Sequence, residues 1–312
     1  MTPTAPAPGD PTGRTCPAAR WELIRAVGAV TAIAPPASQP IIAALSLPAW
    51  DRADHTRLFV LDLPPYASIH LDPQGKIGGE AADRVAGLWR ALALHPPADA
   101  DHLASLCNLY AQLGHAAERC RTETARRRLD HARHVLFAEH MIPWLPSYLA
   151  AIGTYPPGWR WADLTLAALR RETHSQRPPA SLPPALRDAP PPLGAQFSLD
   201  ELLDTLTSPL RSGMILTHTD LEQAGRNLGV GTRRGERRYS LRAMLDHDAV
   251  PTLAWLAGHA RRWTAIHHQA RPLHPHCSHW WAQRAARTVT TLERQPHVRE
   301  LQASGASGAV RP

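Results

Sequence analysis

Two runs of this 312-residue chain hold side chains dense enough to do chemistry. The first is HPHCSHW, where His274, His276, Cys277 and His279 could offer imidazole and thiolate ligands to a metal. A tetrahedral site normally draws its ligands from two separated segments. These four are therefore expected to be ordinary solvated groups, and no metal or organic cofactor is expected. The second run is basic: Arg226, Arg233, Arg234, Arg237, Arg238 and Arg242 stand against one acid, Glu236. It follows LTHTDLEQAGRNLGV, so the whole superficially reads as helix, turn and basic helix. Phosphate binding would need those guanidinium groups on one exposed face. The reading adopted is a helical hairpin whose arginines are solvated or paired with Glu222, Asp246 and Asp248, so nucleic acid is not the expected partner. A DNA-binding transcriptional regulator is the alternative.

No catalytic set accompanies them. The sequence has no G-x-S-x-G, no G-x-x-x-x-G-K and no H-E-x-x-H, and Glu139-His140 is followed by MIPWLP rather than a second histidine. The expected activity is binding, not catalysis.

The elements that position these residues are expected to be helices. The chain contains 39 Leu against 10 Val and 10 Ile, too few β-branched residues for a large sheet. With 44% apolar and 20% charged residues it is a globular sequence. The net charge of +7 favours acidic partners only weakly, because its arginines are scattered among carboxylates. Four separated cysteines with no C-x-x-C pair fit reduced thiols. No run reaches membrane-spanning length, so no membrane association and a cytoplasmic location are expected.

Residues 1–18 read as a disordered leader and 297–312 as a disordered tail. Helices are expected from Trp21, over about 38–61, 80–94, from Asp99 or Asp101 to 117, over 122–141 and over 159–174. A small hairpin or loop is expected at 67–80, where Asp72-Pro73-Gln74-Gly75 suits a type I turn. Residues 177–194 contain seven prolines in eighteen positions and read as a semi-extended spacer. They separate a helical domain, 19–176, from a helical C-terminal region, 195–296. In the latter, Ser198/Glu201 and Thr219/Glu222 read as capping boxes, and Pro251 opens a helix running to about 268.

Three ordered segments, LFVLDLPPYASIHLDPQGKIGGE, PPADADHLASLCNLYAQL and FAEHMIPWLPSYLAAI, give Leu58–Leu149 a resemblance to the TorD family of cytoplasmic redox-enzyme maturation chaperones. The resemblance implies an all-α bundle that holds the catalytic subunit of a molybdopterin oxidoreductase until its cofactor is loaded. It also implies binding of the twin-arginine leader that many such subunits carry. The family's Pro-Pro-aromatic loop falls on Pro64, Pro65, Tyr66, Ser68 and Ile69. Its acidic-His step falls on Asp101 and His102, and its His and Trp on His140 and Trp144. Pro64, Pro65, Tyr66, Ser68, Asp101, His102, His140 and Trp144 are thus the implied client-binding residues. A leader presents paired arginines followed by an apolar stretch, which calls for carboxylates beside an apolar groove. Asp62, Asp72, Glu80 and Asp101 lie around the loops, and Tyr66, Leu103, Leu106 and Trp144 could line such a groove.

Overall fold

In a computed structural model, residues 17–294 are described apart from 157, 177–180, 195 and 231–234. Most of the expected leader, part of the Pro-rich spacer, Arg233, Arg234 and the tail thus lie outside the described residues. The protein is 71% helical and has no strand among the described residues, so the all-α expectation holds. In chain order the helices are α1 (Pro17–Ala32), α2 (Gln39–Ala44), α3 (Arg52–His55), α4 (Ala67–Leu71), α5 (Gly79–Ala91), α6 (Leu103–Arg119), α7 (Glu123–Val135) and α8 (Leu145–Ile152). They continue as α9 (Trp159–Ser175), α10 (Pro184–Arg187), α11 (Leu199–Thr207), α12 (Pro209–Ser212), α13 (His218–Leu228), α14 (Arg237–His247), α15 (Ala249–Gln269) and α16 (Pro275–Glu293). Two π-helical turns, π1 (Thr56–Asp62) and π2 (Leu136–Met141), extend α3 and α7.

The first half is centred on α6, which α1 crosses closely because glycines meet large groups on both helices. A Cβ on Gly28 would stand 2.6 Å from that of Cys107, and Gly114 leaves room for the Trp21 ring. The α9 helix closes the group. Trp161 Nε1 donates to Val27 O at 3.0 Å, and the buried Glu172 carboxylate receives Arg20, Arg133 and the Tyr110 hydroxyl.

The second half is built on the α15–α16 hairpin, with α11–α14 packed around it. It shares one continuous apolar core with the first. Trp281 Nε1 donates to Pro143 O at 2.6 Å, and Arg211 Nε donates to Pro73 O at 2.8 Å. Gly213, at φ +75°, lies against the backbone of Ala285, where a side chain would collide.

Four local expectations are corrected. The stretch 38–61 is broken between α2 and α3, where Ser46 turns left-handed ahead of Pro48. The expected hairpin or loop at 67–80 contains α4, followed by the expected turn, in which Gly75 N–H donates to Asp72 O at 3.0 Å. The cap of α6 is neither Asp99 nor Asp101 but His102, whose Nδ1 accepts the Ala104 N–H at 3.1 Å. The α13 box is Thr217/Asp220 rather than Thr219/Glu222, because the Thr219 hydroxyl donates instead to Asp62 at 2.7 Å. The Ser198/Glu201 box forms as expected. The Pro-rich stretch is also not wholly a spacer: α10 forms within it and buries Ala185 and Leu186. Prolines fix φ, but the side chains between them remain free to pack.

Candidate functional site

The prolines at 64 and 65 stop π1 and turn the chain toward the start of α6. There residues 65–68 run antiparallel to 101–103. Leu103 N–H donates to Pro65 O at 2.8 Å, Tyr66 bridges His102, and Ala67 N–H donates to Asp101 O at 3.1 Å. The Asp101 carboxylate, with its residue only 3% exposed, accepts the Ser68 N–H at 2.9 Å and so caps α4 from a distance. Ser68 Oγ in turn accepts the Gly78 N–H at 3.2 Å. The Tyr66 ring meets His102 edge-on at 4.8 Å. Burial holds His102 below the ordinary imidazole range, partly opposed by Asp99 and Asp101. Burial likewise raises the Tyr66 hydroxyl, with Asp99 adding to the effect.

His140 and Trp144 sit at the end of π2. Trp144 Nε1 donates to His140 O at 2.8 Å, and the buried Trp144 ring stacks on His70 of α4 at 5.0 Å. Complete burial pushes His70 down to about 3. Burial, with Arg84 adding to it, pushes His140 down to about 4, so both rings are neutral near pH 7.

The structure therefore gathers Pro64, Pro65, Tyr66, Ser68, Asp101 and His102 into one junction, and His140 with Trp144 into a second connected to it through α4. Ser68, Asp101 and Trp144 are buried, whereas His140 lines an open groove of about 290 Å³. Ala67 and Leu71 of α4 and Val85 and Leu88 of α5 give its apolar surface. Glu139, also on its lining, makes no hydrogen bond or ion pair among the described residues. Arg84 pairs with Glu80 at 3.6 Å, and its buried Nε has no hydrogen-bond partner among them. An apolar trough thus carries one unengaged carboxylate, the complement of an apolar peptide with a basic side chain.

The residues that sequence reading missed are Arg84, Glu139 and the α10 wall, Pro184 and Ala185. The apolar stripe of α5 is legible in sequence, but which polar neighbour faces a groove depends on π2 and on the Pro-rich segment. Of the carboxylates near the loops, Asp72 Oδ1 caps its own turn by accepting the Gln74 N–H at 2.9 Å. Asp62 is engaged by Thr219 and lies 4.0 Å from Arg57. It lines a second, larger groove of about 680 Å³ between π1 and α13. Leu103 and Leu106 are core residues.

The basic run is not a free cationic face. Arg238 binds Asp204 and Asp200 at 2.9 and 2.8 Å, Arg242 lies 3.3 Å from Asp200 and 4.0 Å from Asp246, and Arg237 is committed to Leu216 O at 2.7 Å. The pairing is thus largely with acids other than those expected. His274 caps α16 by accepting the Cys277 N–H at 3.1 Å, while burial pushes the Cys277 thiol up to about 12. No group of three or more metal-ligating side chains is assembled among the described residues. No single helix among them is long and apolar enough to cross a membrane.

No curated protein matches the chain. The model of the family described as nitrate reductase delta subunit matches residues 47–150, the stretch that contains both junctions and most of the groove lining. Residues 47–150, a third of the chain, thus match the nitrate reductase delta subunit family, a TorD-family molybdoenzyme maturation chaperone domain.

Proposed function

We propose that this protein is a cytoplasmic chaperone that binds the catalytic subunit of a molybdopterin-containing oxidoreductase during maturation and cofactor insertion, and that it acts by binding alone. The groove beside His140 is the client site in this reading, and it takes the client's twin-arginine leader where one is present. The observation that carries the reading is the pairing, on the lining of one groove within the family segment, of an apolar trough with the unengaged Glu139 carboxylate. A client arginine would meet Glu139, and the following apolar residues would lie along Leu88 and its neighbours on α4 and α5. The neutral His140 adds no competing positive charge. In this account Pro64, Pro65, Tyr66, Ser68, Asp101, His102 and Trp144 are positioning residues. They fix α4, and with it Ala67 and Leu71, against π2.

Affinity capture from the native host, with identification of the retained proteins, tests the reading. The expected result is selective retention of one molybdopterin oxidoreductase catalytic subunit, lost when Glu139→Arg is used as bait. Retention of no such subunit by the natural protein would overturn it.

A further inference from the structure

The wall of the client groove opposite α5 and π2 is supplied from outside the family segment, by the Pro-rich stretch. Pro184 and Ala185 line the groove together with His140, about 45 residues away in sequence, and Val85 and Leu71, about a hundred or more away. The wall is anchored rather than loosely apposed. Leu186 is 1% exposed within the common core, Ala189 and Leu193 pack against that core, and Arg284 of α16 donates to Pro190 O at 2.7 Å. Its backbone bonds are local: the N–H groups of Leu186 and Arg187 donate to Pro183 O, and that of Asp188 to Pro184 O. Prolines 183 and 184 have no N–H and their carbonyls are taken within the turn, so these positions offer an incoming strand no ladder and contribute shape and apolar contact.

We propose that the α10 turn is a specificity-determining part of the client site, with Ala185 setting the width of the groove. The inference rests on the client reading of this groove given above. A volume of about 290 Å³ lies at the small end of the range for binding pockets, roughly 300–1,000 Å³. The side chain at position 185 therefore decides how large an apolar residue fits between α5 and α10. A small residue there admits a bulky aliphatic or aromatic client side chain, which must lie next to the residue that meets Glu139. The occupant is accordingly an apolar peptide segment with an adjacent basic residue, bound without strand pairing at Pro183 and Pro184.

The test uses the full-length protein and labelled synthetic peptides spanning the first thirty residues of each molybdopterin oxidoreductase catalytic subunit encoded by its host. Ala185→Phe should weaken binding of the best peptide roughly tenfold or more, as overfilling a packed site does. Ala185→Ser, of nearly unchanged size, should bind as the natural protein does. A second measurement does not depend on the Phe variant folding. Hydrogen exchange of the natural protein should show residues 185–188 and α5 becoming protected together when peptide binds. If the natural protein binds a peptide but 185–188 gain no protection, or a folded Ala185→Phe binds equally well, the wall assignment is overturned and the client reading stands. If no peptide binds the natural protein although it retains a molybdopterin oxidoreductase subunit, the wall assignment falls and the client reading stands; if it retains no such subunit either, both fall.

Discussion

The family segment 47–150 and the C-terminal helices 198–294 differ in the reach of their helix caps: both use local ones, Asp51 on α3, His102 on α6 and Thr122 on α7 in the first, but the first adds a long-range cap. In the C-terminal region the caps are local: Ser198 with Glu201, Thr217 with Asp220, His274 with the Cys277 N–H, and left-handed glycines 213 and 229. Arg238 and Arg242 of α14 are likewise paired with carboxylates of the neighbouring α11. In the family segment α4 is capped by Asp101, thirty-three residues away, and two helices end in π-turns. There the Glu139 carboxylate on the groove lining makes no hydrogen bond or ion pair among the described residues. The C-terminal helices brace this segment, which keeps irregular backbone beside its groove. Such departures from regular helix are where sites tend to lie.

The largest expected effect comes from breaking the brace. Trp281 is buried and bonded to Pro143 O, so Trp281→Ala should cost about 3–5 kcal/mol. Because the core is continuous, thermal melting should stay a single transition at lower temperature. Two separate transitions, or a proteolytic fragment ending near 180 that melts as the whole does, would show that the expected division at the Pro-rich segment creates independent domains.

Next comes the long-range cap. Asp101→Ala strands the buried Ser68 N–H and should cost roughly 1–3 kcal/mol, whereas Asp101→Asn keeps an acceptor and should cost less. Equal losses in urea unfolding would mean that the charge, not the acceptor, matters at this position.

Acid should act on both regions. His70 in the family segment is held at about 3, and His267, buried against Gly213 O, at about 4, both below the ordinary 6.5. The folded state therefore binds fewer protons than the unfolded chain. The stabilisation is full above pH 6.5 and is lost as pH falls below it, on the order of 1 kcal/mol per group per pH unit down to the folded values. His70→Phe should flatten the pH dependence of unfolding free energy between pH 6.5 and 5. An unchanged slope would remove His70 from the account.

The smallest effect is expected from a local cap: Ser198→Ala should cost about 1 kcal/mol, read from the shift in urea midpoint, and leave client binding unchanged.

The same contrast explains what could be read without the structure. Helix α15 and the Ser198 box are legible because their signals lie within a few residues of one another. Thr217 and Thr219 both fit the capping template, and only the approach of Asp62 decides between them. The α4 helix was hidden because its cap arrives from another part of the chain. The family resemblance names Pro64, Pro65, Tyr66, Ser68, Asp101 and His102 together, and the structure joins them in one junction. Their burial, and the roles of Arg84, Glu139 and Ala185, depend on packing between distant segments and leave no local trace.

The central claim is that this chain serves maturation of a molybdoenzyme. The most direct measurement is the molybdenum content of the host's molybdopterin oxidoreductase catalytic subunits, purified from cells lacking this protein and from cells carrying it. The account predicts that one such subunit becomes deficient in molybdenum in its absence, and is restored by the natural protein but not by Glu139→Arg. Full molybdenum occupancy of every such subunit without this protein would contradict it.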